Sequence, residues 1–409
     1  MEEERVLAVW LAQACGAGSP IGARMMEHFD SFEKIWLAEE EELAQCKWVK
    51  RADVKRLLDK DLTKAKEIVK KADSKKIRII TIKDKLYSSH MKSIYAPPVV
   101  YYCFGKDIDV DKRLCISVVG TRRCSKYGAT AAIKFGTELA ECGCVIVSGL
   151  ADGIDSLAQK AAVQAGGSVI AVLGSGIDVP YPQSNRPLMT DIVKNGLIIS
   201  EFPPGTRPNR VHFPIRNRLI AGLSAGCLVV EAPYRSGALI TASYAIDEGR
   251  DIFAVPSNIN SETGRGTNKL IKQGIKAVNT VCDILEEYIT AKKTFSMDIA
   301  QTIAYEERWG EYEKIVPDDI LMRDEDERRR DARKIQKAKR DEEKTKGRVA
   351  LAENEREIYK VISEANEPVL LDDIVAKTLL PVSKVAAILL MLEVKDVIKA
   401  LPGKRYKIL

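Results

Sequence analysis

Residues 115–128 read Cys115-Ile116-Ser117-Val118-Val119-Gly120-Thr121-Arg122-Arg123-Cys124-Ser125-Lys126-Tyr127-Gly128. The first five residues make a mostly apolar strand. Gly120 then lets the backbone turn sharply, so that the amides at the start of the next helix, with Arg122 beside them, can face an anion. The pattern recurs: apolar runs at 115–119, 145–147, 169–173, 197–199, 228–230 and 252–255 alternate with segments of helical length. Alternation of this kind specifies an α/β fold, a mostly parallel sheet covered on both faces. Shorter apolar segments at 77–82 and 99–104 read as strands that extend the sheet.

In an open parallel sheet the carboxyl ends of the strands converge on one crevice. Ser148-Gly149-Leu150-Ala151-Asp152-Gly153-Ile154-Asp155, Leu173-Gly174-Ser175-Gly176, and Glu231 followed by Arg235-Ser236-Gly237 all belong to such ends. Asp152 and Asp155 are acid or base candidates, or caps of the helix that follows. Between strands, His212-Phe213-Pro214-Ile215-Arg216-Asn217-Arg218 sets a ring and two guanidinium forks at the entrance to an apolar helix. Guanidinium forks grip phosphate oxygens, and a flat ring takes a nucleobase. The alternatives are a core plug for Phe213 and, for either arginine, an internal ion pair with Glu201 or Glu231.

Enzyme signatures are missing from these turns. The Gly120 turn has Arg122 and Ser125 where a dinucleotide fingerprint has glycines, and it lacks the lysine of a P-loop. His28, His90 and His212 are too scattered for a zinc motif, and no G-x-S-x-G elbow occurs. Cys142-Gly143-Cys144 falls at a helix-to-strand turn, where small residues are wanted for packing.

A chain of 409 residues calls for more than one domain. Its 64 basic and 58 acidic residues give a net charge of +6, so any basic surface is local. Nine cysteines without CxxC spacing fit reduced thiols, and the acidic start lacks a signal peptide's basic region; both suggest a cytoplasmic protein. No run reaches the roughly 18 apolar residues of a membrane span. The expected domains are a helical module over 1–70, a sheet domain over 77–288, a charged linker over 289–347 and a small domain over 350–409. In the first, Gly16-Ala17-Gly18-Ser19-Pro20-Ile21-Gly22 is either a plain turn between helices or a hairpin whose amides face a phosphate. Residues 323–346 carry 11 basic and 8 acidic side chains, the composition of a solvated tether. In the last domain three helices, the third capped by Ser383, precede a short hairpin, a winged-helix pattern with few base-reading side chains on its third helix.

Together these residues resemble the DNA-processing protein A (DprA/Smf) family. The resemblance is carried by Gly120-Thr121-Arg122, Ser148-Gly149-Leu150-Ala151, Tyr181-Pro182, Ser200-Glu201, Phe213-Pro214 with Arg216-Asn217-Arg218, Ser236-Gly237 with Thr241, and Gly266-Thr267-Asn268. It implies an extended Rossmann-like, doubly wound sheet flanked by a helical (helix-hairpin-helix or SAM-like) module and a winged helix. It also implies a homodimer without catalysis or cofactor that binds single-stranded DNA, protects incoming DNA and helps load RecA recombinase during natural transformation. The implied pocket uses Arg122 and Phe213. The candidate DNA-binding set is Gly120, Thr121, Arg122, Ser148, Gly149, Gly174, Arg186, Phe213, Arg216, Arg218, Ser236 and Gly237. Departures from the family pattern are Gln159, Ser257 and Gln183, the last at a position often basic, for which Arg186 is the substitute. The rival reading is a nucleotide-processing enzyme of the phosphoribohydrolase type, whose Pro-Gly-Gly-x-Gly-Thr is approached only by Gly264-Arg265-Gly266-Thr267. A third is a structural adaptor with a vestigial crevice.

Overall fold

Strands β1 (Arg78–Thr81), β2 (Val100–Gly105), β3 (Cys115–Val119), β4 (Val145–Ser148), β5 (Ser168–Leu173), β6 (Leu197–Ser200), β7 (Gly226–Val229), β8 (Asp251–Ala254) and β9 (Lys276–Ala277) form one sheet. Their order is β1-β2-β6-β5-β4-β3-β7-β8-β9. The pairs from β6 through β9 are parallel, and β1 and β2 add antiparallel strands at one edge. A computed structural model describes residues 2–291, 293–304, 308–323, 353–365, 367–394 and 397–409. They fall into two units that divide at residues 324 and 325.

The alternation of side chains along each strand explains why both faces are covered. On β4, Ile146 joins one core while Val145 and Val147 join the other; on β5, Val169, Ala171 and Leu173 oppose Ile170 and Val172. The order reverses between β3 and β7, which both leave from the middle of the sheet. This is the switch point at which such folds open a crevice.

Three expectations shift. Strands β7 and β8 begin earlier than their apolar runs, and the two-residue β9 was not foreseen. The N-terminal helices do not stand apart: Trp10, Leu11, Met25, Phe32 and Ile35 share a continuous core with Ile79, Val100 and Tyr102 of the sheet. Within that module the Gly16–Gly22 hairpin is an internal turn, because the Gly18 amide donates to Glu201 (3.1 Å), so a carboxylate occupies the position offered to a phosphate. Lastly, part of the expected linker is folded. Helices Met297–Ala304 and Trp309–Lys314 pack through Ala300, Ile303 and Tyr312 onto the same core, and Val316 and Ile320 beyond them join it. The charged run beyond Arg323 lies outside the described residues.

In the second unit, helices Glu353–Ser363, Leu371–Thr378 and Val382–Val394 accompany β10 (Val369–Leu370), β11 (Ile398–Leu401) and β12 (Arg405–Ile408), in the order β10-β12-β11. Ile358, Ile374, Val385, Leu389 and Leu392 form a separate small core. This is a winged helix. Its third helix starts at Val382, so Ser383 lies inside the first turn and is not the cap. No single described helix is long and apolar enough to cross a membrane.

Candidate nucleic-acid interface

At the switch point the glycine turns behave differently from the sequence expectation. Ser125 caps helix Lys126–Glu141 by accepting from the Gly128 amide (3.1 Å). Its own amide (2.9 Å) and hydroxyl (2.7 Å) donate to buried Glu231, which also receives a bond from Thr263. The Glu231 carboxylate therefore stands at the helix N-terminus, where an open Rossmann crevice would take a phosphate. Gly128 makes this possible: a Cβ there would lie 2.0 Å from Glu231 Oε2.

A second carboxylate fills the neighbouring turns. Asp155 accepts from the Gly149 amide (3.1 Å) and is further held by the Gly120 amide. Burial pushes its pKa upward, while the charge of Arg216 and these donors oppose the rise. Ser148 is fully buried and donates to Val118 O (2.6 Å). Thr121 pairs its amide with Glu231 O (2.7 Å) and accepts from the Arg123 amide (3.2 Å). Gly120, Thr121, Ser148 and Gly149 thus shape the floor, and the amides of Gly120 and Gly149 serve Asp155, not a ligand.

The two arginine forks also turn inward, which corrects the expectation that they hold phosphate. Arg216 is 4% exposed. It donates to Gly149 O (2.8 Å) and Val172 O, clasping the ends of β4 and β5, and to Asn217 Oδ1 (3.2 Å). A guanidinium with backbone acceptors and a buried counter-charge is more stable inside than its charge suggests. Burial lowers its pKa to about 10, against the pull of Asp155. Arg218, equally buried, is paired with Glu201, one of the two internal partners foreseen for it.

What remains at the rim is an aromatic and cationic group. Phe213, half-buried at the start of helix His212–Gly222, lies 5.5 Å from the ring of exposed Tyr181. The Arg122 guanidinium is 5.1 Å from the Phe213 ring centroid, within cation–π range. Gly174 leaves room for that ring, since a Cβ there would be 3.0 Å from Phe213 Cδ1. Arg186 is exposed at the first position of helix Arg186–Asn195. Ser236 and exposed Gly237 begin helix Gly237–Asp247, joined to helix His212–Gly222 by Asn217 Nδ2 donating to Gly237 O (3.3 Å). Tyr181 is the addition that sequence reading missed as a site residue. Its signal was an aromatic before proline, just past the Gly174 turn.

The model of the DNA recombination-mediator protein A family matches residues 78–289, and that of the DprA winged helix domain matches 342–404. Protein Smf of Synechocystis sp. is 32% identical over 417 residues, spanning 98% of both chains. The chain belongs to the DprA/Smf family. DNA processing protein DprA of Streptococcus pneumoniae is 45% identical over 208 residues, 51% of this chain and 73% of that protein. The solved structure of DprA from S. pneumoniae superposes with a TM-score of 0.59 at 35% identity, covering 68% of this chain and 95% of that one. Membership supports the role of a DNA-processing recombination mediator. Of the three departures from the DprA pattern, Gln159 is fully buried and donates to Ile170 O (3.1 Å), away from the rim. Ser257 sits against Gly264, and its amide donates to Asn268 Oδ1 (3.1 Å). Only Gln183 is exposed beside Tyr181-Pro182.

Proposed function

We propose that this chain binds single-stranded DNA at the rim formed by Arg122, Phe213 and Tyr181, with Arg186 as a further phosphate contact. It acts as a non-enzymatic, dimeric mediator in the cytoplasm that protects incoming DNA and helps load RecA during natural transformation. One observation carries the reading: the crevice amides are occupied by Asp155 and Glu231, while exposed Tyr181 and half-buried Phe213 stand at the rim beside the exposed Arg122 guanidinium, which is in no ion pair among the described residues. Such a surface takes bases by stacking and phosphates by charge, with little sequence preference. RecA loading and dimerisation are supported by family membership alone.

The test is fluorescence anisotropy of a labelled ~20-nucleotide single strand against the matching duplex, with wild type and Arg122→Ala over a salt series. The single strand binds more tightly, and the variant binds more weakly with a log–log salt slope lower by about 0.7. An unchanged titration removes Arg122 from the site. Base release from nucleoside monophosphates would instead establish the nucleotide-processing reading.

A further inference from the structure

Beside the rim, sharing Arg122 with it, lies a cleft of about 640 Å³. One wall comes from Arg122, Arg123 and Lys160 with Ser184 and Asn185; the other comes from residues 317–323. The second wall belongs to the folded extension outside the recombination-mediator domain, and several contacts hold it down. Tyr312 donates to Glu138 (3.3 Å), Lys126 pairs with Glu313 (3.1 Å), and Trp309 lies 5.5 Å from Tyr127.

The charges in this cleft are not balanced. Each of its carboxylates has a partner: Asp152 accepts from Ser184 (2.9 Å), Asp191 pairs with Lys194 (2.8 Å) and Asp319 with Arg323 (3.3 Å). Arg122, Arg123 and Lys160 are exposed, and among the described residues none of them is in an ion pair. Asp152, held by a neutral hydroxyl, offsets one of these three charges, and the two positive charges left over focus positive potential on whatever enters this walled cleft. The cleft is also continuous with the rim, because Arg122 belongs to both and the turn carrying Ser184 and Asn185 follows Tyr181 directly.

The geometry points to a strand track: the phosphodiester backbone of a strand seated on Phe213 and Tyr181 continues past Arg122 into this cleft, where Arg123 and Lys160 neutralise successive phosphates. This rests on the single-strand-binding reading above and extends it to a surface walled by the chain's own 308–323 segment. The chemistry recognised is a polyanionic backbone, not a base, so the track adds affinity and footprint without specificity.

The full chain and its Arg123→Ala/Lys160→Ala variant are titrated with labelled oligo-dT of ~6 and ~20 nucleotides over a salt series, bracketing the usual footprints of single-strand binders. Both substitutions are at exposed positions, and circular dichroism checks the fold. The variant matches wild type on the short strand, loses the affinity gained with length, and shows a slope on the long strand lower by about 1.4, from two lost phosphate contacts. Unchanged slopes on the long strand, or equal loss at both lengths, overturn the track. Phe213→Ala separates the two ideas, since it weakens both lengths. If wild type binds neither strand, the single-strand reading itself fails and the track with it.

Discussion

Replacing Arg216 with methionine distinguishes an internal clasp from a phosphate ligand. The methionine keeps a long apolar stem but leaves Gly149 O and Val172 O without their donor, and leaves buried Asp155 without its counter-charge. Removing one partner of a buried charge pair costs about 3–5 kcal/mol. Domains of 150–250 residues lose about 2–4 °C per kcal/mol, and larger ones less. Taking about 2 °C, the melting temperature of the sheet unit should fall by about 6–10 °C. Asp155→Asn in the same chain should recover part of that loss, because an amide oxygen still accepts from the Gly149 amide while no lone charge remains; a double-mutant cycle then gives the coupling. The assay is thermal unfolding of the four proteins, followed by salt-dependent anisotropy on a ~20-nucleotide single strand at a temperature where all are folded. The salt slope stays at the wild-type value. A methionine variant that melts with wild type yet loses about 0.7 of slope would refute the clasp and restore Arg216 as a phosphate contact.

Phe213→Ala removes a stacking face and should weaken single-strand binding by about 1–3 kcal/mol, roughly 5- to 150-fold, with little change in melting temperature; an unchanged Kd contradicts the stacking role. Gly128→Ala drives a Cβ into the Glu231 carboxylate, which Ser125 and Thr263 hold in place. Chemical denaturation should show a loss of about 1–3 kcal/mol, and wild-type stability would mean that the carboxylate moves freely. His90 Nε2 lies 2.9 Å from Lys293 Nζ, and burial, with Lys293 and Arg250, lowers its pKa below 6.5 against the pull of Asp111. The unfolded chain then binds the proton more readily, so stability falls as pH drops below 6.5. His90→Gln should flatten the difference between melting temperatures at about pH 7.5 and about pH 5.5; an equal difference in both proteins rules out His90 as the source.

The sheet was legible because strands buried on both faces leave unbroken apolar runs, and glycine at their ends marks the turns. The fate of the amides at those turns was not legible. Asp155 lies six residues from Gly149, within reach of a local reading, but it holds that amide from inside the first turn of helix Ile154–Gln164 and does not cap the helix as expected. Glu231 lies 106 residues from Ser125, and only the adjacency of β3 and β7 brings them together. The arginines misled for a different reason. Arg216 and Arg218 open the stretch that continues Leu219-Ile220-Ala221-Gly222-Leu223, apolar on every side, and such a helix is buried all round. Charged side chains at its start are drawn in with it. The signal was present in the apolar run that follows them.

The two buried carboxylates also bear on the choice between a nucleotide enzyme and a strand binder. A nucleotide phosphate at the switch point would have to displace Glu231 from the Ser125 amide and hydroxyl and from Thr263, or Asp155 from the Gly149 amide, leaving a buried carboxylate without its donors. A buried charge deprived of its partners is costly, and two anions would share one helix end. The same carboxylates stiffen the turns from which Arg122 projects. With the interior anion positions occupied, the proposed phosphate recognition falls to exposed guanidinium and ammonium groups at the rim. Groups of that kind follow a flexible backbone without reading its bases, which is the behaviour the proposed single-strand reading requires.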